Sequence, residues 1–171
     1  SQVMPQVPGI DLARSGAAPI TDIASSLSAD SPIVLIDVET RERIAHWAEL
    51  DATVSSDADR VMFIRPAKNL RARHVIALRR LRDGSGAQIT AGPAFRAYRD
   101  RLRTDVPAIE ARRERYERVF ADLASFDVER DEELFLAWDF TVASERNISE
   151  RMLRMRDDAF AALGDDSPAF T

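Results

Sequence analysis

Hydrophobic positions along this chain fall into two regimes. Up to residue 92 they come in short runs, as strands require. Beyond it, one alternating stretch apart, they recur every three or four residues, as helix faces require. Residues 32–38, Pro-Ile-Val-Leu-Ile-Asp-Val, form a continuous apolar, β-branched run bounded by Ser31-Pro32 and a polar stretch from Glu39. They predict a buried strand. Residues 45–52 predict a second strand, with Trp47 and Glu49 facing opposite to Ala48 and Leu50. Residues 60–66 predict a third, stopped by Pro66, which has no N–H for a ladder. Residues 55–59 form the loop between them. Residues 74–83 predict a fourth strand, broken near Arg79. Ahead of all these, residues 1–30 are punctuated by Pro5, Pro8, Gly9, Gly16 and Pro19 and read as an extended lead. It holds one short helical turn after Thr21, capped by Thr21 or Asp22.

From Pro93 the period lengthens. Phe95, Tyr98 and Leu102 share one helical face. A stronger helix is predicted from Thr104-Asp105, with Pro107 in its first turn and an apolar stripe of Val106, Ile109, Tyr116, Val119, Phe120 and Leu123. Residues 134–144 alternate and form the clearest strand. Leu134, Leu136, Trp138, Phe140 and Val142 fall on one face; Phe135, Ala137, Asp139, Thr141 and Ala143 fall on the other. A last helix is predicted from Asn147, with Glu150 at capping-box spacing. Ile148, Met152, Met155, Ala159 and Leu163 line one side of it, and Gly164 stops it. Residues 165–171 read as a loose tail. Strands come first, then two helices, one strand and one helix. The order predicts an α+β fold: an antiparallel β unit over 31–92, with residues 93–164 packed into the same core.

Composition narrows the function classes. With 171 residues, 45% of them hydrophobic, the chain suits one domain or two small units sharing a core. A net charge of −5 argues against a general nucleic-acid or anionic-membrane binder. Arg112, Arg113, Arg115 and Arg118 alternate with Glu110, Glu114 and Glu117, the pattern of a solvated helix face with ion pairs along it. The absence of cysteine removes disulfides, thiolate metal sites and cysteine nucleophiles together. No apolar run is long enough to span a membrane, and the first residues lack a signal-peptide pattern. The chain reads as a fragment of a longer protein. No cofactor or metal is expected.

Candidate chemistry centres on few residues. In Arg82-Asp83-Gly84-Ser85-Gly86-Ala87, a serine sits between glycines. A hydrolase elbow needs glycine two residues before and two after the serine, where this chain has Asp83 and Ala87. Phosphate-loop spacing is also missing. The expected role is a turn between strands, with Asp83, Gly84 and Gly86 as its structural residues. His46 and His74 are the two histidines. Neither has a second histidine or paired carboxylates at metal-ligand spacing. His46 is the better functional candidate, being close to Trp47 and Glu49. Asp139 interrupts an apolar strand between Trp138 and Phe140, which favours a structural pairing with an arginine over catalysis. The binding candidates are therefore His46, Trp47, Trp138 and Asp139; no catalytic residue is assigned.

Residues 60–89 resemble the end of a bacterial Ig-like module of the surface-layer type, through Pro66, Leu70, His74-Val75-Ile76-Ala77-Leu78, Leu81, Asp83 and Gly86. His74 stands where such modules usually carry tyrosine. More widely, 7–23, 31–40, 46–52, 65–70, 78–89, 95–102 and 136–153 resemble the N-terminal region of secreted bacterial lipase- or esterase-like α/β-hydrolase proteins. The arginine-rich composition, in which Lys68 is the one lysine among 24 basic residues, suits an actinobacterial-type genome. The resemblance implies an Ig-like β unit, a secreted or cell-envelope location, and a partner that is another domain or segment of the same parent protein. The serine elbow would lie outside this chain. Three functions follow as expectations: a non-catalytic accessory domain of an exported hydrolase; an envelope or hydrophobic-ligand binding module with a pocket near Trp47, Trp138 and Tyr98; and a small hydrolase using His46 or His74.

Overall fold

A computed structural model describes residues 2–54, 56 and 59–164. The predicted tail and part of the 55–59 loop lie outside the described residues. In chain order the elements are α1 (Leu12–Ser15), a 3-10 helix (Ile20–Leu27), β1 (Ile33–Asp37), β2 (Glu42–Arg43), β3 (His46–Leu50), β4 (Met62–Pro66), β5 (Ala72–Arg79), α2 (Pro93–Arg99), α3 (Pro107–Glu110), α4 (Arg113–Ala124), β6 (Leu134–Val142) and α5 (Glu145–Leu163). The fold is α+β with antiparallel sheets. One sheet has the order β2-β1-β5-β6, and β3 pairs with β4 in the other.

The four-stranded sheet is covered on both faces, which explains why β1 is apolar at nearly every position rather than at alternate ones. Val34, Ile36, Val75 and Ala77 meet Phe95 and Tyr98 of α2 and Val119, Phe120 and Leu123 of α4. On the opposite face Ile33, Leu35, Ile76 and Leu78 meet Ala48, Met62 and Ile64 of the smaller sheet. Burying an aliphatic or aromatic side chain stabilises by about 1.5–3 kcal/mol, so these two cores carry most of the fold's driving force.

The N-terminal lead is more ordered than its prolines suggest. Val3 exchanges backbone hydrogen bonds with Ile64, and Met62 N–H donates to Pro5. This segment lines the free edge of β4 and sends Val7 and Ile10 into the second core. Asp11 caps α1 by accepting from the Arg14 N–H. The later helical turn is entered through Pro19 with no side-chain cap there; it holds Thr21 inside its first part and kinks at Asp22, whose backbone is non-helical.

Four further expectations change. Strand β6 does not alternate throughout. Leu136 pairs with Leu78 and Leu134 with Arg79, leaving Phe135 as an extra residue. This bulge turns Leu134 toward the helices and Phe135 toward the smaller sheet. The helix from Pro93 ends at Arg99, and Leu102 is exposed. The helix expected from Thr104 is two pieces, and Val106 stays outside the core. Finally, α5 starts before Asn147, because Ser144 caps it by accepting from the Asn147 N–H at 3.1 Å.

The packing of α5 departs most from expectation. Its stripe does not share the core: Ile148 is 70%, Met152 67% and Met155 58% exposed. Among its described side chains only Ser149 and Leu163 are even partly shielded. The helical period holds, but nothing among the described residues covers that face.

Arginines clasp distant segments by donating to backbone carbonyls. Arg43 reaches Ser28 and Phe126, Arg79 reaches Ser31 and Ala29, and Arg99 reaches Glu132 and Leu134. Arg130 bonds the carbonyls of Arg99 and Tyr98, pairs with Glu117 and lies over the Phe120 ring. Such fixed, multiply donating groups suit loops whose carbonyls have no ladder partner.

Candidate functional site

The sequence candidates are placed in separate surroundings. His46, on β3, is buried. Its Nδ1 lies 2.9 Å from the Ile44 carbonyl, and its Nε2 has no hydrogen-bond partner. Burial pushes its pKa down, only partly opposed by the Ile44 carbonyl, so the ring is held neutral. Trp47 follows it on the strand with its indole N–H also buried and unpaired. His74, on β5, is buried and stacks on Phe140 with ring centroids 5.6 Å apart. Its Nε2 is 3.6 Å from Asp37 Oδ2. That is half of a catalytic triad by residue type. The other ring nitrogen, however, faces the Ala72 carbonyl at 3.4 Å and no nucleophile. The Asp37 Oδ1 is occupied by the N–H groups of Glu39 and Thr40.

The Asp83 carboxylate organises the glycine-serine turn. Its Oδ1 accepts from Ser85 N–H at 2.9 Å, Ser85 Oγ at 2.7 Å and Ala87 N–H at 3.0 Å. Gly86 sits at φ +89°, a region costly for other residues. These bonds hold the Asp83 carboxyl below the usual range, the Ser85 hydroxyl contributing most. The Ser85 hydroxyl thus donates to a turn aspartate. It is absent from the lining of the neighbouring cavity of about 320 Å³, which includes Gly84, Asp11 and Leu12.

Asp139 has the richest electrostatics. On β6 it points toward α4. Its Oδ2 accepts from Arg73 Nε at 2.9 Å and its Oδ1 from Arg115 Nε at 2.5 Å. Arg73 also donates to Asp122 on α4 at 2.8 Å. Burial pushes the Asp139 pKa up, but the two guanidinium groups outweigh it and hold the carboxyl below its ordinary value. Beside it a cavity of about 300 Å³ is lined by Arg112, Arg115, Tyr116, Val119, Trp138 and Asp139. Tyr116 stacks on Tyr98 at 3.8 Å, and burial raises its phenol pKa. An aspartate saturated by two arginines is a poor proton acceptor, and a protonated phenol is a poor nucleophile. This arrangement clasps α4 to the edge of the sheet.

Trp138 and Asp139 are thus brought together, whereas Trp47 and Tyr98 do not join them at this cavity. Tyr98 belongs to the helix-side core, and Trp138 packs against the other one. Among the described residues no group of three or more His, Cys, Asp or Glu could hold a metal ion. No helix there is long and apolar enough to cross a membrane.

Among the described residues, half of the large hydrophobic side chains left exposed, Ile148, Met152, Leu153, Met155 and Phe160, lie on α5. At its root a cavity of about 780 Å³ is lined by Leu70, Ala72, Val142, Ala143, Ser144 and Ile148, among others. The apolar stripe runs outward from there. No protein-family model, curated protein or solved structure matches this chain. The molecule's own surface is therefore the guide to its role. The signal for α5 was present in the sequence as a clean stripe; what the sequence could not say is that the stripe faces outward.

Proposed function

We propose that this chain is a non-catalytic accessory module of an exported bacterial lipase- or esterase-like hydrolase, with an Ig-like β unit as its body and α5 as its docking element. One observation carries the reading: the body closes two cores of its own, while its longest helix presents its apolar face to solvent. Isolated apolar residues on a surface mean little, but a continuous stripe on one helix is the form that helix-in-groove recognition takes. The buried histidines and the serine committed to Asp83 support a role without chemistry. The secreted or envelope location belongs to the same proposal and rests on the sequence resemblance.

The test has two arms. The isolated chain is assayed on short-chain aryl esters, where no turnover is expected. Serine-inhibitor-sensitive turnover lost in Ser85→Ala overturns the proposal. In the second arm the hydrolase region of the parent protein is mixed with the chain. Binding that disappears in Met152→Glu supports the docking role, and absence of binding removes it.

A further inference from the structure

The apolar stripe of α5 is a heptad seam. Ile148, Met152, Met155, Ala159 and Ala162 are separated alternately by four and three residues, the spacing that lets one helix lie along another. The positions flanking the seam distinguish the two possible directions of pairing. Arg151 and Asp158 flank one side; Ser149 and Arg156 flank the other. If two copies pair in parallel, Arg151 meets Arg156. If they pair antiparallel, Arg151 meets Asp158 of the other copy, and by symmetry the same pair forms twice.

The antiparallel register also sorts the side chains by size. The two central layers bring Met152 against Met155 of the other copy. The outer layers bring large Ile148 against small Ala159. The same register lays the C-terminal turns of one helix over the root of the other. Phe160, one residue past Ala159, is turned about 100° off the seam and stays outside it.

We infer that α5 pairs antiparallel with α5 of a second copy of this chain, forming a two-fold dimer in which Arg151 pairs with Asp158 and Met152 packs against Met155. The inference rests on reading α5 as the docking element and gives its face a second occupant, a copy of this chain, with which the hydrolase region would compete. A self-complementary patch closes on itself and leaves no surface for further growth.

Charge exchange tests both partner and direction. Sedimentation equilibrium over a concentration series measures the dimer of the whole chain. The helix content of each variant is checked by circular dichroism. Asp158→Arg alone, or Arg151→Asp alone, places like charges opposite each other and is expected to weaken the dimer on the order of tenfold. The double exchange Arg151→Asp/Asp158→Arg restores the pairing, which only the antiparallel arrangement allows. Met152→Ala weakens it independently of salt. These positions are solvent-exposed, so the body stays folded. A monomer at every concentration, or a dimer that the double exchange fails to restore, overturns the inference. A monomer whose α5 still binds the hydrolase region removes the dimer and leaves the accessory reading intact. A dimer that turns over esters does the reverse.

Discussion

Replacing Asp139 with alanine tests whether the one charged residue inside the β6 apolar run is a clasp. The side chain is 13% exposed, Arg73 is about a third exposed, and Arg115 is more than half exposed. The two bonds therefore differ in weight. The Arg73 bond is charge-assisted and partly shielded, and such bonds contribute about 1.5–3 kcal/mol. The Arg115 bond lies in solvent, where an ion pair contributes about 0.2–1 kcal/mol. Losing both costs about 2–4 kcal/mol. At about 2–4 °C per kcal/mol for a chain of this size, the Tm falls by roughly 4–16 °C. Urea unfolding followed by Trp fluorescence reads the loss, with Trp138 next to the substitution as a local probe. Double-mutant cycles then divide it: coupling of Asp139 to Arg73 is expected above about 1 kcal/mol and coupling to Arg115 below it. The pH dependence has a definite sign. The folded carboxyl is held below its ordinary value, so this stability is complete above the unfolded pKa of about 3.9 and is lost as pH falls through the folded one. A loss under about 0.5 kcal/mol, within the range of an ordinary surface change, refutes the clasp. So does a cycle in which Arg115 couples more strongly than Arg73.

Three shorter predictions accompany it. Because burial lowers the His46 pKa, the unfolded chain takes up a proton more readily. Stability should therefore fall as pH drops below about 6.5, and Tm measured in that range should lose part of its slope in His46→Phe. Gly86→Ala forces a side chain onto φ +89° and should cost about 1 kcal/mol in urea unfolding; an unchanged midpoint means the turn relaxes freely. Ser144→Ala removes the cap of α5 and should cost that helix about 0.5–2 kcal/mol, seen as lower ellipticity at 222 nm with the body's unfolding midpoint unchanged.

Some of the molecule is legible in the sequence because the forces involved are local. β-Branched runs and a proline stop mark β1 and β4, and the periodic apolar spacing marks α4 and α5. The arginine clasps are not legible. Arg99 and Arg43 find carbonyls far along the chain, and no sequence pattern encodes which loop passes within reach. The β6 bulge is hidden for a related reason: Phe135 and Leu134 are both apolar, so either could face either core. In the candidate site, Asp139 stood out as a charge inside an apolar run, which signals a partner without naming it. Its partners, Arg73 and Arg115, come from a strand and a helix that only the folded chain sets side by side. Periodicity gave the α5 stripe, but period reports which residues share a face and not what that face meets.

The place of β6 in the sheet has a consequence for how the chain comes together during synthesis. Its hydrogen-bond partner, β5, is made much earlier, and α2, α3 and α4 emerge between the two. Until residues 134–142 leave the ribosome, β5 has one open edge. The helix-side core then lacks Leu134 and Ala137, and the other lacks Trp138 and Phe140. One late strand completes both cores. Closing so long a loop is slow compared with forming helices or hairpins. Docking of β6 is thus the natural last step of folding, and a chain cut short of it leaves β5 as an exposed template for aggregation.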